Sequence, residues 1–176
     1  MHTLQRSHYA PIRGVAVAPG DPSSFVTCSE DGSVSSWALN HPQAPHLTQM
    51  SVGWSGLPLP GAALSIAMAQ DTIISGWADG MIRGHARGSP SSAPAWSIPG
   101  AHALSHSTGV TALKMSNRSG FLLSGGSGGE VRAWDMRTRQ MSCNLKSRNA
   151  PISDLAVLED DAHIISASHD RSWSLW

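Results

Sequence analysis

Short apolar runs of five to seven residues, closed by Gly, Asp, Ser or Pro, recur along this chain in groups of three. GVAVA (14–18), FVTCS (25–29) and SVSSWAL (33–39) form the first group, and ALSIAMA (63–69), TIISGWA (72–78) and MIRGHA (81–86) the second. The third group holds VTALKM (110–115), FLLSGG (121–126) and EVRAWDM (130–136). The fourth holds ISDLAVL (152–158), HIISAS (163–168) and SWSLW (172–176). Such runs are rich in β-branched and aromatic residues and too short for ordinary helices, so the pattern predicts strands. Between the second and third runs stand Asp31-Gly32, Asp79-Gly80, Gly128-Gly129 and Asp170-Arg171. Asp-Gly favours the positive φ that a tight hairpin needs, which predicts a hairpin in each group and a looser one at Arg171. A more polar outer strand is expected near 46–52, 94–98 and 138–145. The stretches 39–62 and 86–108, rich in Pro, Ser, Gly and His, are longer than usual connections and read as exposed loops beside those outer strands.

The groups share an internal register. A hydroxyl residue is followed four positions on by a turn residue and ten positions on by a large ring: Thr27, Asp31 and Trp37; Ser75, Asp79 and His85; Ser124, Gly128 and Trp134; Ser166, Asp170 and Trp176. The turn residues recur at intervals of 48, 49 and 42 positions. A period in the forties with several strands per unit is the pattern of propeller blades. The expected fold is therefore all-β, a propeller segment of about four blades within a single region, 1–176. Blade cores fall near 12–39, 63–86, 109–136 and 151–176. An incomplete ring is expected, which leaves two blade faces uncovered and calls for more chain, a partner or self-association.

Composition narrows the function. Charged residues are 14% of 176 and the formal net charge is zero, so no basic footprint for nucleic acid or an anionic membrane exists. No apolar run is long enough to span a bilayer, and the opening MHTLQRSHY lacks the apolar core of a signal peptide. Cys28 and Cys143 fall in different repeats and read as free thiols in a reducing compartment. The expected partners are proteins.

Thr27, His8 and Asp31, or Ser166, His169 and Asp170, contain the groups of a serine-type hydrolase, which needs a base within reach of the nucleophile and a third group orienting that base. The repeat register assigns these hydroxyls and acids to bracing positions instead, and neither a G-x-S-x-G elbow nor a P-loop occurs. The glycine-rich 124–130 lacks the Lys and helix of a phosphate cradle. His102 and His106 are four apart, but no nearby Cys or carboxylate completes a metal site. No cofactor, metal or catalytic residue is expected. Trp77 and Trp173 occupy strand positions suited to packing. Trp54 and Trp96 sit in the long connections, where an exposed indole would be a candidate partner contact.

With Trp134-Asp135 and this register, the chain resembles the WD40 repeats along nearly all its length. In that family a His opens each unit; His8 precedes Ile12 by four residues and His106 precedes Val110 by four. Arg148 takes this place in the fourth repeat, and the second has no clear equivalent. The resemblance implies a structural tetrad hydrogen-bonded across each blade: His8, Thr27, Asp31 and Trp37 complete in the first, His106, Ser124 and Trp134 with Gly128 in place of the acid in the third, and Ser166, Asp170 and Trp176 in the fourth. It also implies that an N-terminal strand, here residues 2–7, completes the fourth unit. IISGWADGMIRG (73–84) and GVTALKMSNRSGFLLSGGSGGEVRAWDM (109–136) are similar to consecutive blades of the WD-repeat cilia- and flagella-associated proteins of the axoneme. That likeness implies a non-catalytic scaffold inside doublet microtubules, in contact with tubulin and other axonemal proteins, in the cytoskeleton of a cilium or flagellum. The alternative is a general WD40 adaptor in a cytosolic or nuclear complex.

Overall fold

The computed structural model describes residues 8–38, 61–87, 93–104, 107–146 and 149–176. These residues form strands and turns and contain no helix. The first sheet comprises β1 (Ile12–Ala18), β2 (Asp21–Ser29) and β3 (Val34–Ala38), and the second comprises β4 (Ala63–Met68), β5 (Thr72–Trp77), β6 (Ile82–Ala86) and β7 (Trp96–Ile98). A small two-stranded ribbon, β8 (Ala103–Leu104) and β9 (Ser107–Thr108), follows. The third sheet is β10 (Val110–Met115), β11 (Phe121–Gly126), β12 (Glu130–Asp135) and β13 (Gln140–Lys146); the fourth is β14 (Ile152–Val157), β15 (Ile164–Ser168) and β16 (Trp173–Leu175). Each sheet is an antiparallel meander in chain order.

The expected outer strands near 94–98 and 138–145 correspond to β7 and β13. Those expected at 46–52, and at 2–7 for the fourth unit, lie outside the described residues. The hairpin glycines Gly32, Gly80 and Gly129 have φ of 79°, 78° and 84°, and Arg171 holds the same left-handed conformation at 70°. The fourth hairpin thus keeps the geometry of the other three with a residue that is strained there.

Every inner strand carries a bulge after its first residue, between Ile12 and Gly14, Ala63 and Ser65, Val110 and Ala112, and Ile152 and Asp154. A bulge leaves one residue unpaired and bends the strand. Its repetition fixes which residues are equivalent between blades. The inner strands lie side by side in the order β1, β4, β10, β14. Together they line a central cavity of about 800 Å³. Three apolar clusters fill the spaces between successive blades. Val26, Cys28 and Val34 meet Ala63, Ile66 and Trp77; Ile74 and Ile82 meet Val110 and Leu113; Leu123 and Val131 meet Ile152 and Leu155.

Polar ties cross the same junctions. Ser65 Oγ donates to the Val110 carbonyl at 2.7 Å and Thr111 Oγ1 to the Ile152 carbonyl at 2.6 Å. Arg87 pairs with Asp21 at 2.5 Å between the first two blades. In the last junction Asp161 accepts the backbone N–H groups of Asn117, Arg118 and Ser119. Desolvation raises its carboxyl, but those three donors outweigh it and bring the pKa down to about 2.

Candidate functional site

In the first blade the bracing groups form one continuous chain. The Trp37 indole donates to Thr27 Oγ1 at 2.8 Å, and His8 Nε2 lies 2.7 Å from the same oxygen. His8 Nδ1 lies 2.5 Å from Ser33 Oγ, which donates to Asp31 Oδ1 at 2.5 Å. One assignment satisfies every group: Thr27 donates to Nε2, and the protonated Nδ1 donates to Ser33. Desolvation raises the Asp31 carboxyl, yet bonds from Ser33 and the Tyr9 N–H outweigh it, so the group stays below the ordinary carboxylate range. Asp31 also stands 3.9 Å from His8 Nδ1, so it acts on the imidazole both through Ser33 and directly.

The third blade reaches the same end with different residues. Trp134 donates to Ser124 Oγ at 2.7 Å, as the strand register dictates. The imidazole on that hydroxyl, however, belongs to His102, with Nε2 2.7 Å from Ser124 Oγ. His106, the expected partner, lies outside the described residues. The cause is the β8–β9 ribbon. The His102 N–H donates to the Gly80 carbonyl at 2.9 Å, and the Gly109 N–H returns to the His102 carbonyl at 3.2 Å. The ribbon closes on its own base, so the histidine sits eight residues before β10 instead of four. The acid missing at Gly128 is supplied from β12. His102 Nδ1 lies 2.8 Å from Glu130 Oε1, with both side chains almost fully buried. Gly126 makes this possible, since a Cβ there would collide with His102 and Glu130 alike.

The second blade departs further. Ser75 was expected to take its ring from His85, but its Oγ accepts the indole N–H of Trp77 at 2.8 Å, two residues along the same strand. Trp77 is completely buried and carries the Arg83 guanidinium 4.9 Å from its ring centre. Arg83 in turn pairs with Asp79 at 2.6 Å. His85 is buried opposite Ile73. In the fourth blade Trp176 donates to Ser166 Oγ at 3.0 Å, and Asp170 accepts the Ser172 N–H at 3.0 Å. Arg148 lies outside the described residues.

These contacts decide what the candidate residues do. The Thr27 and Ser166 hydroxyls, the nucleophiles of the hydrolase alternative, are buried and hold indole N–H groups. Among the described residues no group of three or more His, Cys, Asp or Glu could hold a metal ion. Trp96 lies in β7 with its ring against the Gly84 backbone and the Arg139 guanidinium 5.2 Å away, so packing takes up the indole that the sequence offered as a partner contact. Trp54 lies outside the described residues. Cys28 is buried and Cys143 exposed, and desolvation pushes the Cys28 thiol up to about 12.

The buried imidazoles make stability depend on pH. Desolvation is the main cause that lowers the His102 and His8 pKa values below 6.5, against the opposing pull of Glu130 and Asp31. For His85 desolvation and Arg83 act together in the same direction. A lowered folded-state value means the unfolded chain binds more protons below pH 6.5, so stability falls as the pH drops from there. A scan of unfolding midpoint from neutral pH to pH 5 should show this decline, and His102→Asn should shallow the slope. A midpoint that is flat or rises toward pH 5 would contradict the neutral-imidazole assignment.

Four antiparallel blades around a central cavity, braced by hydroxyl–indole bonds, define a WD40-type propeller segment. The family model described as WD domain, G-beta repeat matches residues 1–38, 101–135 and 139–176, and the chain belongs to this family. The second blade, with its substituted brace, falls outside the matched residues. Cilia- and flagella-associated protein 52 of Mus musculus is 25% identical over 172 residues, 96% of this chain and 26% of its own length. The Homo sapiens protein of the same name is 31% identical over 107 residues, 60% of this chain and 16% of its own. The chain thus spans about a quarter of the length of the first of these curated relatives. Among solved structures, the computationally designed Ika4 protein shares the fold with a TM-score of 0.70 at 19% identity, covering 97% of this chain and 92% of that one.

Proposed function

We propose that this chain is a non-catalytic protein-interaction scaffold of ciliary or flagellar axonemes, working beside tubulin and other axonemal proteins in the cytoskeleton. The observation that carries the reading is the continuous match of 96% of the chain to cilia- and flagella-associated protein 52. The bracing chemistry supports the scaffold role. Its hydroxyls, imidazoles and acids are spent on holding strands together, and rigid blades present their loops at fixed positions to a partner. The test is cosedimentation of the purified chain with isolated axonemes, with localisation of a tagged copy in ciliated cells. Recovery with the doublet fraction is expected. A chain that stays wholly soluble, with proximity labelling that returns a defined non-axonemal assembly, would overturn the axonemal reading in favour of a general WD40 adaptor.

A further inference from the structure

The bulge register allows burial to be compared position by position across the four blades. Val15 occupies the place of Ile66, Leu113 and Leu155, opposite the bracing hydroxyl of its blade. Those three are 7%, 9% and 4% exposed, whereas Val15 is 66% exposed. Ile12 and Val17 on the same strand are exposed as well. The other end of the array shows the converse. Trp173 occupies the place of Val34, Ile82 and Val131, which are 2%, 0% and 1% exposed, yet Trp173 is 68% exposed. Leu175 beside it is also exposed.

These faces are the two halves of one interface that the chain already builds three times. In each internal junction the Val34-type face of one blade receives the Val15-type face of the next. The first blade offers only the second half to solvent, and the fourth blade only the first. We infer that two copies of this chain join end to end, the fourth blade of each covering the first blade of the other.

Three observations select a second copy as the occupant. First, β1 and β14 both line the central cavity but do not pack together as successive inner strands do, so four blades stop short of a full turn. What fills the gap must present both faces at the spacing of this array, and a second copy does so by two-fold symmetry. Second, the closed product would have eight blades, within the range that propellers occupy. Third, the polar tie is prepared. Ser153 sits at the bulge position of β14, where Thr111 of β10 donates to the Ile152 carbonyl, and it is exposed. In the joined pair it faces the Ile12 carbonyl of the second copy.

The test is the mass of the purified chain by size exclusion with light scattering across a wide concentration range. Twice the chain mass is expected. Val15→Asp and Trp173→Asp should each return the single-chain mass with an unchanged β-sheet circular dichroism spectrum. An equimolar mixture of the two should regain the double mass at weaker affinity, since each variant keeps one intact face. If Val15→Asp does not fold, Val17→Lys on the same exposed strand serves in its place. A wild-type chain of single mass at every concentration would overturn the inference. So would a double mass that survives both substitutions, a mixture that stays dissociated, or a mass that grows without limit. The inference is independent of the axonemal reading: the mass is measured without axonemes, and cosedimentation can succeed or fail for either mass.

Discussion

Replacing His102 with alanine is expected to lower the unfolding free energy by about 3–5 kcal/mol, the cost of leaving a buried carboxylate without its partner. His102 is the centre of a relay that runs from the Trp134 indole through Ser124 to Glu130. Desolvation raises the Glu130 carboxyl, but the His102 N–H, the Glu130 backbone N–H and the nearby Arg132 charge together outweigh it and keep the group below its ordinary value. Without that donor, a carboxylate that is 2% exposed must protonate or draw in water. Because a domain of this size is stable by only about 5–15 kcal/mol, the variant approaches the limit of folding. The paired replacement His102→Leu with Glu130→Met should recover much of the loss, since no buried carboxylate is then left without its partner and the Ser124 hydroxyl still accepts the Trp134 indole N–H. Urea unfolding at fixed protein concentration reads both effects as midpoint shifts at constant slope. A loss under about 1 kcal/mol for His102→Ala would show that the pair is not the brace of the third blade. His106→Ala should leave this relay intact.

The contrast between His102 and His106 marks the limit of what the sequence shows. The hydroxyl and the ring of each brace lie on neighbouring strands of a single hairpin, ten residues apart. The short turn fixes their register, so Thr27 with Trp37, Ser124 with Trp134 and Ser166 with Trp176 are legible as intervals. The histidine reaches its blade across the connection from the previous one, whose length varies. In the first blade His8 stands four residues before Ile12 and the spacing holds. In the third, β8 and β9 insert four residues without moving the ends of the link, and counting back from Val110 selects the wrong imidazole. Glu130 was hidden for a related reason. The acid is defined by where its oxygen arrives, and a longer side chain two residues past Gly128 arrives at the same place as the Asp31–Ser33 pair. The uneven burial of Val15 and Trp173 is legible only as two uncovered blade faces at the ends of an incomplete ring, never from the residues themselves. Val15 resembles Ile66 in type, and only the absence of a neighbouring blade separates them.

Trp77→Ala should destabilise the chain by about 3–5 kcal/mol, in the range for deleting a large buried aromatic side chain. Its indole touches three otherwise separate parts of the structure. It fills space between the first and second blades among Val26, Cys28, Val34 and Ile66, satisfies the buried Ser75 hydroxyl, and supports the Arg83 guanidinium. Nothing in the spacing announced this, because the ten-residue interval from Ser75 ends at His85. The three contributions can be separated. Trp77→Phe keeps most of the volume and a face for Arg83 but loses the N–H, so it should cost only about 1–2 kcal/mol. The alanine variant additionally opens a cavity and leaves Arg83 with Asp79 alone. Trp173→Ala is the matched control: its ring is 68% exposed, so the unfolding free energy of a single chain should change by less than about 0.5 kcal/mol, while the end-to-end pairing should weaken. If Trp77→Phe proved as costly as Trp77→Ala, the indole N–H would carry the whole effect. If Trp173→Ala proved as costly as either in the dissociated Val15→Asp background, Trp173 would be packed within its own chain, and the open face of the fourth blade would not exist.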